Sequence, residues 1–213
     1  MFTSKLNLKN RNQFRNSITI IFLQLFLVIN FAGYGQGSIP PPTGADINID
    51  EHNAMITIPE VALLDLEAAN GTTVTLNPSA PTEAGLALSF PVIDNSIWLN
   101  YSSIIGSISE ASRNVTAQIT SGSVPAGTSL KIAIATDSGN GDGLMGIPSA
   151  TISLSNIAQN IITGIGSSYT GNGINNGHNI QYIFDLLPNA GAYGLLDFDF
   201  NETLVITYTL TDY

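Results

Sequence analysis

The chain has 213 residues, with sixteen Asp and Glu, six Lys and Arg, two His and no Cys. The length suits one domain after removal of a targeting segment, and the missing cysteines exclude disulfides, thiol catalysis, thiolate metal sites and iron–sulfur clusters. All sixteen acids lie beyond residue 35 and four of the six cations before it, so a mature chain would hold two cations against sixteen carboxylates, a formal −14; such a surface repels phosphate backbones and anionic membranes and excludes nucleic acid as a partner.

Residues 1–35 read as a signal peptide. Lys5, Lys9, Arg11 and Arg15 form a basic start, and the fifteen-residue apolar run Ile18–Ala32 follows. That run is shorter than the roughly 20 residues a membrane span needs. Small residues then lead to an expected cut near Gly35/Gln36. The protein is therefore expected to be secreted, periplasmic or on the cell surface, with no stable membrane span in the mature chain. Residues 36–53 form a lead containing the proline-rich tether Ser38–Gly44. Residues 54–213 are expected to be one domain.

That domain is a succession of β-type runs separated by Gly, Asn, Pro and Ser. Ala54–Glu67 reads as two short strands, or one edge strand bent at Pro59. Within it, Val61–Asn70 has some helical character, with strand preferred. Thr72–Leu76 sets Val74 and Leu76 against threonines, and Leu86–Val92 puts Leu86, Leu88, Phe90 and Val92 on one face. Ser96–Ile105 holds Trp98, expected in the core, with Tyr101 on the other face. Asn114–Thr120 alternates Val115, Ala117 and Ile119 against polar residues. Gly127–Ala135 points Leu130, Ile132 and Ile134 one way and is expected to be the central strand. Ala150–Leu154, Asn160–Ile165 and Asn179–Leu187 follow. Glu202–Thr211 closes the chain, with Leu204, Ile206, Tyr208 and Leu210 on one face. Short runs at these spacings argue an all-β sandwich or barrel.

Few residues carry a chemical signal. In Asp137–Gly143, Ser138, Asn140, Asp142 and Gly143 fall in the register of an oxygen-liganded calcium loop, although its first anchor is Ser and its twelfth position is Ser149. Asp137, Asn140 and Asp142 are the candidate calcium ligands. In the DFDFNE segment, Asp197 and Asp199 are expected on one strand face with Phe198 and Phe200 opposite. Paired carboxylates suit glycoside hydrolysis or a cation site, but a wet sheet face explains them as well. His52 and His178 stand in polar contexts, with no G-x-S-x-G elbow and no H-E-x-x-H motif. Tyr101, Tyr169 and Tyr193 could stack on sugar rings if exposed. Asn70, Asn100, Asn114 and Asn201 head N-x-S/T sequons.

Gly191-Ala192-Tyr193, the closing strand ending in ITYTLTDY and the SIWLNYSS stretch at Ser96–Ser103 together resemble secreted bacterial β-sandwich proteins of the spore coat U and pilin-subunit kind. The resemblance covers about a quarter of the chain. It implies an immunoglobulin-like β-sandwich, here of about nine to ten short strands, exported to the surface and assembling through strand exchange. The cysteine pair of many such subunits is absent, and the segment after the signal alternates only briefly, at Ala45–Ile49. The expected function is that of a secreted or surface structural or adhesive protein rather than an enzyme, acting through self-assembly or contact with another surface protein. The alternatives are a carbohydrate-binding module, with or without calcium, and a hydrolase built on paired carboxylates.

Overall fold

The computed structural model describes residues 50–212. The expected signal peptide and most of the lead lie outside them. The chain divides into a unit over Met1–Ala54 and another over Met55–Tyr213. Of the first, Asp50–Ala54 are exposed and belong to no helix or strand. Among the described residues no helix is long and apolar enough to cross a membrane.

The second unit is an all-β sandwich of two antiparallel sheets. In chain order its strands are β1 (Val61–Glu67), β2 (Val92–Ile104), β3 (Arg113–Ser121), β4 (Thr128–Ile134), β5 (Asp142–Gly143), β6 (Ile147–Pro148), β7 (Ile152–Ser153), β8 (Gln159–Ile165), β9 (Ser168–Tyr169), β10 (His178–Leu186) and β11 (Val205–Asp212). A 3-10 turn covers Ala192–Leu195. The larger sheet runs β5-β9-β2-β10-β4-β7, with β1 on the opposite edge of β2. The smaller runs β11-β3-β8-β6.

The core lies between the sheets. β2 contributes Ile97, Leu99 and Tyr101, β3 Val115, Ala117 and Ile119, β4 Leu130 and Ile132, and β10 Ile180 and Tyr182. These are alternate positions on each strand, as a two-faced pleated sheet requires. β11 packs Ile206, Tyr208 and Leu210 against them, with Leu204 just before it. The Tyr182 and Tyr208 hydroxyls meet at 2.7 Å and tie the two sheets together. Burial raises both phenols above the ordinary tyrosine range.

Several expectations need correction. The strand at Gly127–Ala135 exists as β4, but it lies beside the two-residue edge strand β7. The hub is β2, which pairs with β1, β9 and β10. Tyr101 is buried and Trp98 only half-buried, the reverse of the expectation. The face is decided by the strand as a whole, because burying Trp98 would turn Ile97 and Leu99 out to water. Thr72–Leu76 forms no strand, although Val74 and Leu76 do pack on the core. Sheet structure near Leu86–Val92 begins only at Val92. The DFDFNE segment is a turn in which the Asp199 amide donates to Asp197 Oδ1, so the two acids share no strand face. In Ala54–Glu67 only Val61–Glu67 is a strand, and the residues before Pro59 are unpaired.

Candidate functional site

The strand register builds a row of side chains on the outer face of the larger sheet. Leu63 of β1 lies opposite Ser102 of β2, Ser102 opposite Tyr169 of β9, and Tyr169 opposite Asp142 of β5. Neighbouring strands are about 4.8 Å apart, so Leu63 and Tyr169 stand roughly 10 Å apart with the small Ser102 between them. Leu63 and Tyr169 are both exposed. Large, small, large across three strands makes a trough. It consists of two adjoining hollows of about 460 and 480 Å3 that share Leu63, Ser102 and Tyr169. One hollow extends towards Asp65, Asn100 and Asn172, the other towards Ile104, Asp142 and Gly143.

Asn100 shapes the first hollow from below. It is buried, and its Nδ2 donates to the Gly173 carbonyl at 2.9 Å, holding the loop after β9 over the sheet. Its Oδ1 is buried without a donor. Gly177 approaches so closely that an added Cβ would sit 2.2 Å from the Leu99 carbonyl, and its φ is +67°. Both facts demand glycine there. The burial of Asn100 and Asn114 also places two of the four sequons out of reach of a glycosylating enzyme in the folded chain.

On the inner face, beneath the trough, His178 and Tyr101 form a polar pair. His178 is fully buried. Its Nδ1–H donates to the Ala135 carbonyl at 2.9 Å, and its Nε2 lies 2.9 Å from the Tyr101 hydroxyl. That hydroxyl also touches the Met145 carbonyl, and the two rings stack. Burial lowers the imidazole pKa, opposed by the Ala135 hydrogen bond and nearby Asp137. Burial and Asp137 both raise the Tyr101 phenol. With both groups neutral, the pair fastens β2 and β10 to the segment after β4. Sequence reasoning saw His178 only as one of two histidines in polar contexts. Its alternation with Ile180 and Tyr182 is the signal that could have placed it on their inner face, where it lies opposite Leu99.

The three candidate calcium ligands are distributed along one loop. Asp137 Oδ1 accepts from the Gly139 amide at 2.8 Å, and its Oδ2 is buried without a partner. Asn140 Nδ2 donates to the Asn175 carbonyl at 3.2 Å. Asp142 is exposed in β5, with Oδ1 accepting from the Gly143 amide. Among the described residues no group of three His, Asp or Glu is arranged to hold a metal ion. The loop's glycines have a packing role of their own. A Cβ on Gly141 would collide with the Tyr169 carbonyl, and one on Gly143 would lie 2.2 Å from the Ser167 carbonyl. They allow β5 to close against β9 and so set the Tyr169 side of the trough.

A second polar centre lies at the base of the segment leading into β1. Arg113 is fully buried. Its guanidinium donates to Asp212 at 2.7 Å, Glu60 at 2.7 Å and Glu110 at 2.8 Å, and also to the Val61 and Ile104 carbonyls and Ser103 Oγ. The Asp212 hydrogen bond and the surrounding acids raise its pKa still further. Immediately before Glu60, Met55, Ile56 and Ile58 are 94, 88 and 75 % exposed and belong to no strand or helix. The remaining aromatic candidate, Tyr193, lies away from the trough and accepts a hydrogen bond from the Leu88 amide.

No protein-family model matches the chain. No curated protein matches it either.

Proposed function

We propose that the protein is a secreted or cell-surface structural component that works through contacts between chains, with Met55–Glu60 as the contacting arm. The observation that carries this reading is the arm itself. Three large apolar side chains face water within four residues of an unpaired segment, where soluble proteins usually scatter such residues singly. The arm is anchored at its base by the Glu60–Arg113 ion pair, so it is presented from a fixed point. Free sheet edges are templates for another chain, and β11 pairs only with β3 among the described residues. Pro59 also holds Ile58 away from helical geometry, in the extended conformation that an added strand requires.

Charge sets the conditions. Copies with a formal −14 repel one another, and salt screens that repulsion over about 8–10 Å at physiological strength. Assembly should therefore strengthen as salt rises. The test is light scattering of Gln36–Tyr213 over a range of concentration and salt, beside the double variant Ile56→Asp, Ile58→Asp. The expected result is a concentration-dependent mass above the monomer for the natural chain and a monomer for the variant, with equal melting temperatures. A natural chain that stays monomeric at high concentration and high salt would sink the reading.

A further inference from the structure

We propose that the trough over Ser102 is a binding site for a neutral, linear saccharide chain. This does not rest on the assembly reading, since the trough and the arm share no residue. Four features of the trough select the ligand.

The first is shape. The trough follows the strand direction and joins two hollows of about 460 and 480 Å3, each within the ordinary range of small-ligand sites. A chain of rings fits this course better than a compact ligand does.

The second is surface chemistry. Tyr169 offers an exposed aromatic ring and Leu63 an aliphatic wall. A sugar ring has apolar C–H faces and a polar rim. Its faces can lie against these walls while its hydroxyls reach Asp65, Asn172 and Asp142 at the trough's sides.

The third is charge. Among the described residues Asp65 and Asp142 line the trough and no cation does. Lys131 is 3.9 Å from Asp185 on other strands, and Arg113 is enclosed by three acids. An anionic saccharide would meet only like charge, whereas neutral hydroxyls can donate to both carboxylates.

The fourth is the backbone. At Ser102 and Ser103, β2 is paired with β1 on one edge and β9 on the other. No free ladder remains under the trough, so an extended peptide cannot add here as a strand. The occupant has to bind through the face of the sheet.

The experiment is calorimetric titration of Gln36–Tyr213 with cellohexaose, laminarihexaose and mannohexaose, beside trigalacturonate and a tetralysine peptide. At least one neutral hexasaccharide should bind. Tyr169→Ala should weaken it at least tenfold without changing the melting temperature. Ser102→Gln fills the floor between the walls and should abolish binding, which keeps the test decisive if Tyr169→Ala melts differently. Failure of all three neutral sugars, tighter binding of trigalacturonate or tetralysine, or equal binding by both variants overturns the proposal.

Discussion

Arg113 and His178 are both sealed from water, and the chain treats them in opposite ways. Arg113 stays charged, because three carboxylates and three further oxygens surround its five N–H groups. His178 is held near neutrality, with one carbonyl and one phenol as partners. The difference is one of supply. Arg113 joins the start of β3 to the end of β11 and the entrance of β1, where acids of three segments converge. Among the described residues the acid acting on His178 is Asp137, and one of its oxygens is left unpartnered. A buried charge survives where neighbouring strands deliver countercharge, and elsewhere desolvation drives the group neutral.

The strongest way to break this comparison removes a whole side of it. Deleting Thr203–Tyr213 takes away β11, its core side chains and Asp212 together. We expect loss of cooperative thermal unfolding, and a truncated chain that still melts sharply would refute this. Arg113→Ala comes next. It empties a buried site and takes their donor from the Val61 and Ile104 carbonyls, while Glu60 and Asp212 stay largely in water, and should cost about 2–4 kcal/mol in denaturant unfolding. Tyr101→Phe removes one hydroxyl from the other centre. It leaves Nε2 of His178 and the Met145 carbonyl without that partner, and should cost about 1–3 kcal/mol.

pH sharpens the contrast further. The pKa of His178 is lowered in the folded chain, while the unfolded chain takes up a proton below about pH 6.5. Its contribution to stability is therefore complete above that pH and fades as the pH falls towards the folded value. His178→Gln should flatten the melting-temperature profile between about pH 7 and 5. The raised phenols of Tyr101 and Tyr208 work on the other side. Their contribution is complete below about pH 10 and is lost above it. Arg113 stays protonated throughout and adds no slope of its own. The smallest expected effect concerns the loop at Asp137–Gly143. Because Asp137 and Asp142 already accept backbone amides, calcium should move the melting temperature by less than about 2 °C. A larger rise, lost in Asp142→Ala, would make the loop an ion site.

Alternation was the most informative signal in the residues. Val115, Ala117 and Ile119 could only be the inner face of a strand, and so could Ile206, Tyr208 and Leu210. Two-residue periodicity groups these side chains on one face, and where that whole face is apolar it is the buried one. It also supports the all-β sandwich, because the one stretch with helical character, Val61–Asn70, is short. Val74 and Leu76 show its limit: the pattern marks which side chains are buried but not whether the backbone finds a partner. The trough was legible only in part. Tyr169 is readable as one of three candidate sugar-stacking aromatics, but nothing local ties it to Leu63, more than a hundred residues earlier.

By itself, the sequence determined which side chains of most strands share a face, the acidic composition and the absence of thiol chemistry, since each follows from residue type and near-neighbour spacing. Only the tertiary structure decided that Trp98 turns outward, that Arg113 gathers three distant acids and that Leu63, Ser102 and Tyr169 share one row. Those outcomes depend on pairing register between segments far apart in the chain, and register is set by the summed burial of whole strands rather than by any residue alone.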